Sequence, residues 1–457
     1  MQPLKISEIV KATGGVLIAG DENHEIKNIT TDSRKAKGAL FVPLAGENVD
    51  GHLFLESAFS NGAAASLTEK EFNGGKNVIK VLDTYAAIRD IAEFYKQKYP
   101  VKTVAIVGSV GKTTTKDMVA GVLSTEKNTQ KTQGNFNNHL GVPLTVFTVE
   151  KEHEMLVLEM GMSGFGEIDM LAKIGKPDVV VMTNIGTSHI EKLGSQENIF
   201  KAKTEFIKYF TKDNVVIANG DDKFLSHVGE LGDFKTVYYG IDNPENNVFA
   251  KDIKNLGTSG LEFTICDAGK EIKAKVLTPG IHNVYNALAA YCAGKEFGYS
   301  DENIVAGLKS CEMTKMRMEI EEFSDVRIIK DYYNAAPDSI RASLAVMKDC
   351  ESTRKIAVLG DVLEMGEFAK AAHTELGDDV LKNKTDVLVT AGENAKFIAK
   401  RAKELGILEV YSFDSTDEAA DFMRDFTKPG DVVLIKASHG MKFEKIYNKI
   451  KGGKTND

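Results

Sequence analysis

The chain has 457 residues, 42% hydrophobic and 27% charged, with a formal net charge of −9 and a pI near 5.7. That length divides into about three domains, and the composition is that of a soluble globular protein. The acidic balance excludes a surface built to neutralise a nucleic-acid backbone or anionic lipid.

Cys266, Cys292, Cys311 and Cys350 show neither C-x-x-C nor Cys/His ligand spacing, so neither a zinc site nor a disulfide framework is expected, and a reducing cytoplasm fits. The start, MQPLKISEIVKATGG, lacks the basic-then-apolar layout of a signal peptide. No run approaches the roughly 18 apolar residues of a membrane span. The chain reads as a cytoplasmic monomer with no membrane anchor and no nucleic-acid partner.

Residues 1–100 give short strand and turn signals, such as ITTDSRKAKGALFVPLAGENVDGH, and then a helical run over 84–99. This predicts a small mixed α/β domain. From residue 101 to about 312, apolar strands alternate with helical stretches: KTVAIV, MLVLEM, DVVVMT, NVVIAN and KTVYYG. That texture predicts a central, largely parallel, helix-covered sheet. Residues 313–457 repeat it with VRIIKDYY, KIAVLGD, DVLVTAG, EVYSF and DVVLIKAS, predicting a separate Rossmann-like unit that ends in the polar tail KGGKTND. The fold class is therefore α/β in three domains, the central one resembling P-loop ATPases.

The strand KTVAIV runs into GSVGKTTTKDMVAGVL, a glycine turn that opens a helix. In that context backbone N–H groups face a phosphate, Lys112 reaches the terminal phosphates, and Thr113 can ligate Mg²⁺. The full G-x-x-x-x-G-K-[ST] pattern is not met, since Ile106 stands at its first glycine. The shorter G-x-x-G-K-T is met by Gly108, Gly111, Lys112 and Thr113. ATP is the expected nucleotide, because no N-K-x-D guanine-reading motif follows. Glu159 ends the strand LVLE and His189 follows VVVMT in TNIGTSH, which makes both candidates for the Mg²⁺ shell. A rim carboxylate and a hydrogen-bonded structural histidine are the plainer alternatives.

IFKAKTEFIKYF, residues 199–210, predicts an amphipathic helix with Ile199, Phe206, Ile207 and Phe210 on one face. Lys203 falls inside that apolar stripe, where an amine must snorkel, pair with an anion or lose its charge.

Taken together, GSVGKTTTK, TQGNFNNHLGVP, LEMG, TNIGTSHIEKLGS, FKAKTEF, PGIHNVYNALAA and DYYNAAPDS resemble the Mur ligase family along essentially the whole chain. The resemblance implies ATP phosphates on Gly108, Ser109, Val110, Gly111, Lys112, Thr113 and Thr114, with Mg²⁺ near Thr113, Glu159 and His189. It implies that Asn283 and Asn286 face the nucleotide, although Asn283 is equally suited to capping a helix. It brings Arg317 to the γ-phosphate and Asp331 to the ribose, with Met316 standing where the family usually has glycine. The family's carbamoylated lysine maps to Lys203 as a further metal ligand, and Lys112, His189 and Lys203 become the catalytic group.

Ser33, Arg34, Gly46, Asp50 and His52 are the implied contacts to a UDP-linked substrate, and Asn334 a contact in the third domain. An isolated D-S-R or D-G-H is also plain turn chemistry. The D-N-P-R signature of diamino-acid-adding members is absent, whereas NAAPDSIRASL and VLGDVLEMGE resemble the member that adds D-alanyl-D-alanine to a UDP-muramoyl tripeptide. The alternatives are a member adding a single amino acid, a folylpolyglutamate synthase-like ligase, and a P-loop ATPase switch.

Overall fold

The apolar runs form three sheets, each with its own helical cover, in a computed structural model that describes residues 1–74 and 76–454. Helix extends to Lys454, so the end of the tail KGGKTND, residues 455–457, lies outside the described residues.

The first unit carries a five-stranded sheet in the order Val16–Ala19, Val78–Lys80, Ala65–Thr68, Leu40–Phe41, Ile29–Thr30. A small antiparallel pair, Leu4–Lys5 with Glu25–Ile26, lies outside it. Asp83 caps the helix Thr84–Lys98 by accepting from Ala86 N. That helix ties the unit to its neighbour: Tyr95 is fully buried, its hydroxyl donates to the Val149 carbonyl at 2.6 Å, and its ring meets Phe147 edge-on.

The central sheet has nine strands. All five strands expected from the sequence are present: Lys102–Val107, Met155–Glu159, Val179–Met182, Val215–Asn219 and Lys235–Gly240. Lys102–Val107 lies between Met155–Glu159 and Val179–Met182, parallel to both. Ala105 and Val107 enter one core while Val104 and Ile106 enter another on the opposite face, so the strand is buried on both sides. A run without polar alternation is what such a strand requires. The edge strand Thr129–Lys131 and the antiparallel extension Val248–Asn255, Leu261–Asp267, Lys270–Val276 were not predicted.

The third sheet runs Glu319–Phe323, Val326–Lys330, Asp431–Lys436, Arg354–Gly360, Val387–Ala391, Glu409–Phe413, parallel except for the first hairpin. The segment joining it to the central unit is pinned to the helix Lys112–Leu123: Asp117 accepts from both N and Oγ1 of Thr314, at 2.8 and 2.7 Å, and pairs with Lys131.

One expectation is corrected. Residues 199–210 are not one helix but an α-helix, Gln196–Lys203, followed by a 3₁₀ turn, Glu205–Tyr209. Thr204 breaks the helix, its hydroxyl turned back to the carbonyls of Phe200 and Lys201. The apolar face survives the break, with Ile199 and Phe206 fully buried.

Candidate active site

Adjacent parallel strands deliver their C-terminal ends to one edge, and there the phosphate loop, Glu159 and the TNIGTSH segment meet. The loop depends on two glycines. A Cβ on Gly108 would lie 1.9 Å from Thr183 Oγ1, and Gly111 has φ 85° with a virtual Cβ 2.9 Å from Asn286 Oδ1. Either substitution would push the loop off its support.

That support comes from residues far along the chain. Thr183 Oγ1 donates to the Val110 carbonyl at 2.7 Å, Asn184 Nδ2 donates to the same oxygen, and Asn184 Oδ1 accepts from Val110 N. Gly186 N donates to Ser109 Oγ. The first half of TNIGTSH is therefore a brace for the loop. Thr183 and Asn184 were missed as functional positions because nothing local in the sequence marks their partner.

Lys112 donates to the carbonyls of Gly108 and Ser109, at 2.9 and 3.2 Å. Burial pulls its amine down from the ordinary range, opposed by the negative charge of Glu159. Lys203 is 2% exposed and donates at 3.0 Å to the carbonyl of Gly108, the oxygen Lys112 also uses. Burial holds its amine well below the ordinary range, and the positive Lys112 acts in the same direction. Of the three fates open to Lys203, snorkelling is excluded by its burial.

Glu159 is buried. Its Oε1 accepts from Asn137 Nδ2 at 2.8 Å, while its Oε2 is enclosed with no hydrogen-bond partner. An enclosed carboxylate oxygen without a donor suits a hard cation, so the residues fit Mg²⁺ at this point. Asn137, inside TQGNFNNHLGVP, was not singled out from the sequence, although it orients this carboxylate. His189 is turned the other way: in a left-handed conformation, φ 65°, it places Nδ1 2.5 Å from Glu364 Oε2 of the third unit, a close contact without the alignment of a hydrogen bond. The expected trio of Thr113, Glu159 and His189 thus shares a cleft without forming a closed cage. Among the described residues no three His, Cys, Asp or Glu side chains gather as a metal cluster.

A second cleft opens on the far side of Gly111, lined by Thr114, Asn219, His282, Asn283, Asn286, Arg317 and Asp331. Asn286 accepts from Thr115 Oγ1 and donates to Asn283 Oδ1, and Asn283 donates to the Pro279 carbonyl. Asn283 is therefore no helix cap. The helix His282–Glu296 starts after Ile281 without a side-chain cap. Burial brings the pKa of His282 down to about 4, so its ring is neutral at physiological pH.

The third unit contributes Arg317, whose Nη2 lies 3.3 Å from Thr113 Oγ1. Met316 and Met318 on either side have φ 60° and 50°. Met316, at the position where the family resemblance expects glycine, thus adopts a left-handed turn. The Asp331 carboxylate accepts from Met318 N, Ser343 Oγ and the buried Lys436 amine, the last at 2.5 Å. Asn334 lines the cleft of Lys112 and His189, and its carbonyl accepts from Lys436.

The positions expected in the first unit lie away from both clefts. Asp50 accepts from N and Nδ1 of His52 and from Lys70, and His52 Nε2 accepts from Glu69 N, which fixes the tautomer as Nδ1–H. Asp32 caps the turn at Ser33 and pairs with Arg34, whose guanidinium is otherwise exposed. The Gly46 amide closes a turn on Val49. Asp50 and His52 thus cap their own turn and tie it to the segment after the strand Ala65–Thr68.

The family description "Mur ligase family, catalytic domain" matches residues 25–105, "Mur ligase middle domain" 106–294 and "Mur ligase, glutamate ligase domain" 316–439. The UDP-N-acetylmuramoyl-tripeptide--D-alanyl-D-alanine ligase of Bacillus subtilis is 39% identical over 97% of either chain, and that of Escherichia coli 30% over 87% of this chain and 88% of its own. Among solved structures, MurF from Acinetobacter baumannii superposes with a TM-score of 0.91 at 29% identity over 99% of either chain. MurF from Thermotoga maritima, in complex with ADP, gives 0.83 at 27% identity over 94% of this chain and 98% of its own. A braced phosphate loop, an arginine delivered across a domain boundary and these full-length relatives lead to one conclusion: the chain belongs to the Mur ligase family.

Proposed function

We propose that this enzyme uses ATP to join the terminal carboxylate of UDP-N-acetylmuramoyl-tripeptide to the amine of D-alanyl-D-alanine, in the cytoplasm, as a step of peptidoglycan precursor synthesis. The observation that carries the reading is Arg317 of the third unit standing against Thr113 of the phosphate loop, its buried Nε without a partner. A site divided between two units lets a nucleotide draw them together over the substrates. Residues 101–312 then hold ATP, 313–457 close over it, and 1–100 receive the UDP moiety, with Ser33, Arg34 and Gly46 at its loop.

A carboxylate is a poor electrophile, so the γ-phosphoryl group is first moved onto it, giving an acyl phosphate and ADP. Positioning and charge neutralisation supply most of that catalysis. Lys112 leaves the Gly108 carbonyl for the phosphate, and Arg317 offers its free Nε to the same charge. Thr113 and Glu159 would hold Mg²⁺, which neutralises phosphate charge when bound, and His189 would join them only on release from Glu364. Asn283, Asn286 and Asp331 line the nucleoside end. The dipeptide amine approaches through the cleft between Lys112, Ser188 and His189 on one wall and Asn334, Glu364 and Ser438 on the other. Its attack on the acyl phosphate gives a tetrahedral intermediate that expels phosphate, the developing charge facing Lys112.

The buried Lys203 amine, with no carboxylate paired to it among the described residues, is the position where a carbamate would add an anionic ligand. Restoration of Lys203→Ala activity by short carboxylates would support that group, and failure of any to restore it would count against it.

Phosphate release should require UDP-muramoyl tripeptide and D-alanyl-D-alanine together. Release without either, or with a single amino acid in place of the dipeptide, would overturn the assignment.

A further inference from the structure

Arg317 is held in an unusual way for a cation that spans two units. No ion pair engages its guanidinium among the described residues. Its central carbon instead lies 4.4 Å from the centroid of the Tyr333 ring, whose own centroid is 5.6 Å from that of the His439 ring at 36°. Of its donors, Nη2 is on Thr113 Oγ1 and the buried Nε is unpartnered. The backbone fixes only the base of this side chain, through Met316 N on Glu319 and Met318 N on Asp331.

We propose that Tyr333 is a positioning residue for Arg317, its ring face holding the guanidinium over the phosphate loop without neutralising it. A carboxylate in the same place would orient the arginine equally well, but it would occupy the donors and cancel the charge needed at the phosphate. An aromatic face attracts the guanidinium plane through its quadrupole and leaves the in-plane N–H groups free. The contact uses the ring and not the hydroxyl. Because Tyr333 lies within DYYNAAPDS, the segment that carries Asp331 and Asn334, one loop would set both the nucleoside carboxylate and the phosphate-facing cation. The inference rests on the placement of Arg317 at the terminal phosphates.

The test is steady-state phosphate release by the full-length enzyme with all three substrates varied. Tyr333→Phe should keep kcat/KM for ATP within about 2-fold, and Tyr333→Leu should lower it about 10-fold. KM for the UDP-tripeptide and the dipeptide should not change. In an Arg317→Ala background, Tyr333→Leu should add no further loss. Should Tyr333→Leu fail to fold, a fluorinated phenylalanine at 333, which withdraws π density with little change of shape, must lower kcat/KM for ATP relative to Phe. Equal losses in Tyr333→Phe and Tyr333→Leu, or an undiminished Tyr333→Leu effect without Arg317, would overturn the inference alone. A wild-type kcat/KM in Arg317→Ala would overturn the nucleotide role of Arg317 with it.

Discussion

Two lysines are buried to nearly the same degree in different units and keep opposite company. Lys436, 1% exposed at the end of a strand in the third sheet, donates to the Asp331 carboxylate and to the carbonyls of Asp331 and Asn334. Lys203, 2% exposed below the phosphate loop, donates to a single carbonyl that a second amine already uses. Burial lowers both amines, but at Lys436 the adjacent Asp331 opposes the fall, whereas at Lys203 the neighbouring Lys112 reinforces it. Lys436 has its counter-ion beside it in the third unit, whereas among the described residues Lys203 hydrogen-bonds no carboxylate. Such an imbalance suits a site whose ligand is itself a polyanion.

The sharpest way to break this contrast is Lys436→Met, which strands the buried Asp331 carboxylate. A loss of about 3 kcal/mol is expected in denaturant unfolding, with partial recovery in Lys436→Met/Asp331→Leu. A near-neutral result would mean the pair is not what balances the third unit.

Lys203→Met should behave in reverse. Stability should stay within about 1 kcal/mol of wild type, because no buried counter-ion is left behind. Turnover should fall by about 10–100-fold where Lys203 serves the proposed metal site, and stay near wild type where it does not. Unfolding and phosphate release measured on one preparation separate the two effects.

Thr183→Val tests whether the loop is rigid without its brace. The Val110 carbonyl keeps Asn184 as donor, so about 1 kcal/mol should be lost, seen as a small drop in melting temperature together with a raised KM for ATP.

Acid should act on the paired unit at the smallest amplitude. The hydrogen bond from Lys330, helped by Lys451, holds the Glu321 carboxyl at about 2 against an ordinary 4.5. A depressed carboxyl contributes stability above its unfolded pKa and loses it as pH falls toward the folded one. The third unit should therefore weaken between about pH 4.5 and 2, and Glu321→Gln should flatten that slope in a pH series of melting curves.

How much of this was readable depended on where the partners of each residue lie. The parallel strands announced themselves because burial on both faces demands unbroken apolar runs, as in KTVAIV. The strands at the other edge of that sheet did not: Val248–Asn255 is only partly buried, with exposed Asp252, Lys254 and Asn255, and reads as polar loop. The phosphate loop was legible as a local pattern of glycine, lysine and threonine. Asn137, Thr183, Asn184 and Tyr333 were not, since each matters only through a residue that folding brings to it. Asp50 and His52 show a mixed case, a motif visible in the sequence whose hydrogen bonds partly close on each other and partly reach Glu69 and Lys70 after the strand Ala65–Thr68.

By itself the sequence determined the α/β class, the phosphate loop, and Lys203 as an amine set into an apolar stripe, because each follows from spacing along the chain. Only the tertiary structure decided that Lys203 shares the Gly108 carbonyl with Lys112, that His189 leans on Glu364, and that Arg317 reaches Thr113 over the face of Tyr333. Charge, burial and donor direction at these points are set by groups up to some two hundred residues away in the chain, and no local pattern encodes which of them arrive.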